Sequence, residues 1–235
     1  MPEFLTVFPG QNLFKTLLVG FCAFAKGRRG ERRKSLEMLP NNHAATKAAC
    51  DLPILDIDAD WDSLSGAPLE DEPPVDQEDG LVILYTSGTT GMPKGCVHTQ
   101  RDMVYTAATT CNIGIDLKPD DVGINFYPVF WIAGEDMGVI FPIFSGATYV
   151  LLARWDPVAF MAAVQRHRVT VASLLVDNAV EVMEHARVGE FDLRSLEQVR
   201  CSSFVKKLNI PYRERWRALT GATMIEAAWG MTETH

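Results

Sequence analysis

Between residues 99 and 227, short apolar runs alternate with segments that open on a helix cap, and this alternation restricts the fold more than any other feature of the chain. Thr99-Gln100-Arg101-Asp102 has the spacing of a capping box, a hydroxyl and an acid three residues apart that satisfy exposed helix N–H groups. It predicts a helix over 100–112. Asp120-Asp121 turns the chain into a strand over 122–127, which Pro128 ends. An apolar helix is expected over 132–144, with Pro142 weakening its last turn and Gly146 as its stop signal. A strand over 147–152 leads to a helix capped by Asp156, with Pro157 in its first turn. Further strands are expected over 169–175, 198–201 and 223–227, and helices over 178–186 and 211–219. Such alternation implies right-handed crossovers and an α/β fold, a mostly parallel sheet flanked by helices on both faces. At 235 residues and 47% hydrophobic content the chain can bury a sizeable core.

Upstream, the apolar run Leu81-Val82-Ile83-Leu84-Tyr85 reads as a buried strand that delivers a loop, Thr86-Ser87-Gly88-Thr89-Thr90-Gly91-Met92-Pro93-Lys94-Gly95, to a sheet edge. Gly88 and Gly91 allow the backbone to approach a ligand closely. Successive N–H groups in such a turn form an anion-binding concavity, and the hydroxyls of Thr86, Ser87, Thr89 and Thr90 add donors that can rotate toward phosphate oxygens. Lys94 supplies a compact positive charge. The loop is not a Walker A sequence, because Pro93 precedes the lysine and Gly95 follows it. The bland alternative is a surface turn. In a doubly wound sheet, ligands gather beyond the carboxyl ends of the strands. This loop and the one after strand 223–227 are therefore expected to face one pocket.

Tyr85 through Gly95 resembles the phosphate-loop signature of the adenylate-forming (AMP-binding) superfamily, which includes acyl-CoA synthetases. Trp229-Gly230-Met231-Thr232-Glu233 resembles a second signature of that family, an aromatic-Gly-Met-Thr-Glu run. The resemblance implies the N-terminal large domain of such an enzyme, present in part. It implies that Thr86, Ser87, Gly88, Thr89, Thr90, Gly91 and Lys94 hold ATP phosphates. Trp229 would lie against adenine, with Gly230 and Met231 beside it, Thr232 would touch the α-phosphate and Glu233 would bind Mg²⁺. Lys94, Thr232 and Glu233 are the implied catalytic residues. The reaction implied is activation of a carboxylic acid through an acyl-adenylate to a thioester of coenzyme A. The non-catalytic alternative is a remnant that binds nucleotide, an acyl chain or a partner protein.

Tyr127-Pro128-Val129-Phe130-Trp131-Ile132-Ala133-Gly134 resembles the family segment lining the acyl tunnel, which makes Phe130, Trp131 and Gly134 candidate substrate contacts. Plain core aromatics are the other reading of Phe130 and Trp131. Many members carry histidine where Trp131 stands, and amino-acid-activating members an aspartate after the phenylalanine. The tryptophan favours an acid without an α-amino group, most simply a fatty acid, while Glu135 and Asp136 keep an amine in play. Cys201-Ser202-Ser203-Phe204 departs from the family's small-residue loop near adenine. His98 and His235, beside the two motifs, read as loop or packing residues.

The family's later Thr-Gly-Asp motif and its lysine-bearing C-terminal domain do not follow, so the chain reads as an incomplete member: 1–50 unassigned, 51–80 an acidic linker with a possible short strand at 52–57, and 81–235 the partial AMP-binding domain. The linker reading rests on eleven acids and no Lys or Arg between Asp51 and Asp79, with Pro68, Pro73 and Pro74 among them. An apolar stretch over 13–25 precedes six basic residues between Lys26 and Lys34. Its charges lie on the wrong side for a signal peptide and it is too short to span a bilayer, leaving a buried helix or an irregular segment ahead of membrane-surface contact through 13–34. A net charge of −8 argues against a nucleic-acid partner. Five scattered cysteines without metal spacing fit the cytoplasm.

Overall fold

Residues 5–7, 74–86, 91–226 and 230–234 are described in the computed structural model of this chain. The strands are β1 (Leu5–Val7), β2 (Gly80–Thr86), β3 (Lys94–Thr99), β4 (Val122–Asn125), β5 (Thr148–Leu151), β6 (Val171–Leu175), β7 (Gln198–Ser202) and β8 (Thr223–Glu226). Six of them form one sheet in the order β1-β5-β4-β6-β7-β8. β1 runs antiparallel to β5, and the other five are mutually parallel. The chain moves one way from β4 to β5 and then crosses back past β4 to β6. That reversal places a switch point between β4 and β6, where open α/β sheets form their crevices.

Side chains alternate across each strand, and this decides which helices they meet. Ile124, Val150, Ala172, Leu174, Val199, Cys201 and Met224 point to one face. There they pack on α4 (Pro157–His167), α5 (Val176–Glu184) and α6 (Ile210–Thr220) through Phe160, Val164, Val180 and Trp216. Tyr149 and Val171 point to the other face, against Ala107 and Cys111 of the helix begun by α1 (Gln100–Thr109) and Phe141 of α3 (Phe141–Ser145). The far end of this second face is barely covered: Thr223 and Ile225 are exposed on either side of buried Met224.

The caps read from the sequence form as expected. Asp156 Oδ1 accepts from Ala159 N at 2.7 Å and Pro157 opens α4. Thr99 and Asp102 make both bonds of the capping box on α1. Gly146 ends α3 in the left-handed region with φ of 74°. The helix expected over 132–144 is interrupted. α2 (Ile132–Glu135) opens into a π-turn over Asp136–Ile140 before α3 resumes. Pro142 has no N–H for the carbonyl four residues earlier, and Phe141 N–H instead reaches back five residues to Asp136. Residues 74–80 are exposed. The expectations for 13–34, 52–57 and the earlier linker lie outside the described residues. Among those described, no helix is long and apolar enough to cross a membrane.

Candidate nucleotide site

The strand before the Gly/Thr loop is not where the sequence placed it. β2 does not enter the parallel sheet; it pairs antiparallel with β3 in a separate two-stranded ribbon, Thr86 opposite Lys94 and Tyr85 opposite Gly95. A loop this short returns the chain beside itself, whereas parallel pairing needs a crossover of about a dozen residues. The apolar run is correspondingly less buried than expected, with Leu84 inside and Ile83 and Tyr85 exposed. Gly95 keeps the ribbon tight, since a Cβ there would sit 2.8 Å from Ile83 Cγ2 and 3.4 Å from the Tyr85 ring.

Lys94 is exposed at the start of β3, and its carbonyl accepts from the Thr86 hydroxyl at 3.5 Å. These two residues therefore frame the mouth of the loop. Gly91 is exposed beside them, while Ser87, Gly88, Thr89, Thr90 and Trp229 lie outside the described residues. Gly230 and Met231 are exposed beyond the carboxyl end of β8, followed by half-buried Thr232 and exposed Glu233.

The ribbon and this last segment meet through His98. Its side chain is buried, and Nε2 lies 2.7 Å from the carbonyl oxygen of Thr232. A carbonyl only accepts, so Nε2 carries the proton and donates. Around this bond, Cys96, Val97, His98, Asp102, Tyr105, Thr106, Glu233 and Thr234 line an open cleft of about 460 Å³. Among the described residues no three His, Cys, Asp or Glu side chains gather as a metal cage. The cleft offers the carboxylate-bearing residues Asp102 and Glu233. That set suits Mg²⁺, which takes one or two carboxylates and completes its shell with water and phosphate.

The two ends of the Tyr127–Gly134 segment are tied together by Asn125. Its side-chain amide donates to the carbonyls of Tyr127 (3.1 Å) and Gly134 (3.4 Å), and its Oδ1 accepts from Tyr127 N at 3.2 Å. Gly134 admits no side chain, because a Cβ would collide with the Pro128 carbonyl. Trp131 stands edge-on to Tyr127 with ring centroids 5.4 Å apart, and Phe130 is 82% exposed, so Phe130 is not a core aromatic.

Next in the chain, Glu135 is 1% exposed, and among the described residues neither of its carboxylate oxygens has a hydrogen-bond partner. Burial pushes it up to about 7. Asp136 is pushed up to about 8 by burial and by neighbouring Glu135. Sequence reasoning passed over His98 as a packing residue and did not single out Asn125. The available signals were a histidine inside a β-type alternation and a polar residue ending an apolar strand. Cys201 is buried, its thiol pushed up to about 12 by burial, and Ser203 Oγ accepts from Leu208 N at 3.0 Å, so the loop after β7 is internally pinned.

Comparison with known proteins agrees with this architecture. The chain is 28% identical over 169 residues to 4-coumarate–CoA ligase 3 of Arabidopsis thaliana, covering 71% of this chain and 30% of that protein. It is 30% identical over 168 residues to feruloyl-CoA synthase of an Amycolatopsis species, covering 69% and 34%. The chain thus spans about a third of the length of these curated relatives. In structure it is similar to the inhibitor-bound N-terminal domain of FACL13 from Mycobacterium tuberculosis, with a TM-score of 0.71 at 24% identity over 85% of this chain and 51% of that one. A family profile described as AMP-binding enzyme matches residues 17–235, and the chain belongs to that family.

Proposed function

We propose that this chain carries the phosphate-binding side of an ATP-dependent acid–thiol ligase site, in the large domain of an acyl-CoA synthetase. The observation that supports it most is the His98–Thr232 bond, which joins the strand leaving the Gly/Thr loop to the Thr-Glu motif 134 residues away. The proposed domain unit is 81–235, and β1 adds an edge strand to it from the 1–50 segment.

In this reading, Thr86 through Gly91 and Lys94 hold the ATP phosphates, Trp229 to Met231 border the adenine, Thr232 donates to the α-phosphate and Glu233 holds Mg²⁺. The bound magnesium would neutralise charge on the phosphate oxygens. A substrate carboxylate oxygen attacks the α-phosphorus, its bond to the bridging oxygen breaks, and pyrophosphate leaves. The thiol of coenzyme A then displaces AMP from the acyl carbon. Both reactants of the first step are anionic, so the contribution required of Lys94 and Thr232 is to place donors where negative charge accumulates.

Phe130, Trp131 and Gly134 border the acyl group. Tryptophan instead of an acid after Phe130 favours an acid without an α-amino group, and a fatty acid is the first candidate. The names of the coumarate- and ferulate-activating relatives favour a second reading, an aromatic acid. Calorimetric titration with MgATP tests the phosphate site: saturable binding is expected, weakened at least tenfold by Lys94→Ala. An unchanged affinity in that variant would overturn the assignment. Pyrophosphate exchange with a panel of fatty and aromatic acids reads the substrate class. Binding without exchange would favour the non-catalytic, nucleotide-binding alternative.

A further inference from the structure

We infer that His98 is a positioning residue, whose Nε2–H holds the Thr232–Glu233 turn in place against the phosphate-loop ribbon; its link to nucleotide binding rests on the function proposed above. Among the described residues, the turn's other hydrogen bonds are local to it. Glu233 and Thr234 are exposed, and the short internal bond Thr234 N to Met231 O (3.1 Å) closes the turn without tying it to the sheet. His98 is 5% exposed on β3, opposite Val82, four residues after Lys94. A ring donor in that position is pre-oriented by its own strand. Through Thr232 O it fixes the backbone immediately before Glu233, which lines the cleft.

The hydrogen bond also gives a direction of dependence. Any residue at 98 that presents an N–H at the Nε2 position can hold the carbonyl, and an isosteric apolar residue cannot. Buried acceptors left without a partner are costly, so loss of the donor would release the turn rather than leave it in place. His98→Leu removes the donor at similar volume, and His98→Gln presents an amide N–H near the same point.

The test pairs two measurements on the whole chain. Hydrogen exchange of the Thr232 to Thr234 amides should accelerate about tenfold in His98→Leu, stay slow in His98→Gln, and leave the amides of β6 and β7 unchanged in both. MgATP affinity should fall about tenfold in His98→Leu and recover in His98→Gln, the loss of one well-aligned hydrogen bond. Unchanged exchange at 232–234 in His98→Leu overturns the inference, as does equal loss in the two variants. If the unaltered chain binds no MgATP, the proposed function fails, and the exchange measurement still decides whether His98 positions the turn.

Discussion

Trp216 and Tyr85 are both large aromatics on amphipathic elements, yet Trp216 is wholly buried between α6 and the sheet while Tyr85 is 70% exposed on the ribbon. The α4–α6 side of the sheet is one continuous apolar cluster reaching from Ile124 to Met224. A smaller apolar cluster holds α1 and α3 on the other face, and the ribbon beside them carries discrete polar contacts: the capping box at Thr99, the His98–Thr232 bond and the framing of the loop by Thr86 and Lys94. Packing distributes stability over many neighbours, so it tolerates no single absence cheaply. A few directed bonds fix geometry with little burial, which suits a segment that must admit a ligand.

The sharpest way to break this comparison is to cut both aromatics. Trp216→Ala should cost about 3–5 kcal/mol in urea unfolding, through lost burial and a cavity. Tyr85→Ser should change stability by less than about 0.5 kcal/mol. Equal losses would mean that the ribbon is as integral to the fold as the α6 side. Trp216→Phe should cost less than the alanine, because the buried indole N–H has no acceptor among the described residues and phenylalanine removes that donor.

The next effect comes from the buried acids on the α1–α3 side. Glu135 rises from 4.5 to about 7 and Asp136 from 3.8 to about 8, each by burial first. An acid whose folded value is raised contributes stability fully below its unfolded value and loses it as pH rises through the folded one. Stability should therefore decline from about pH 4 to about pH 8. Glu135→Gln or Asp136→Asn should flatten that decline and raise stability at pH 8 by about 2 kcal/mol. Thermal melts across this range provide the check; parallel profiles for variant and wild type would show that neither acid is the source.

What could be read in advance follows the same division. Asp156 with Pro157, Thr99 with Asp102, and Gly146 are local signals whose chemistry acts within one turn, and each forms as read. The parallel order β4 to β8 follows from alternation, because crossover helices leave few other topologies. The pairing of β2 was not legible. A short apolar run has the same composition in a buried parallel strand as in a half-exposed ribbon, and the deciding fact, the fold-back at Lys94, depends on tertiary context. The candidate site divides likewise. Its two motifs were visible as residue types, whereas the bond that joins them spans 134 residues, and a histidine within a strand pattern does not name its partner.

The smallest expected effect compares the two caps. Asp156 Oδ1 holds Ala159 N on α4, whose buried residues Phe160, Met161, Ala163 and Val164 tie it to the large cluster. Thr99 Oγ1 holds Asp102 N at 3.2 Å on α1, which buries only Met103 and Ala107. Removing either cap exposes the same kind of orphan N–H, so Asp156→Ala and Thr99→Ala should each cost about 1 kcal/mol locally. The difference lies in how far the loss spreads. On α4 it should appear in the global unfolding midpoint, since that helix opens only with the core. On α1 it should appear first as faster exchange of the Asp102 to Val104 amides, with the midpoint less affected, because sparsely buried elements open before the whole chain does. Identical midpoint shifts without local opening would place α1 and the ribbon in the same cooperative unit as α4, and the contrast drawn between the two sides of the sheet would fail.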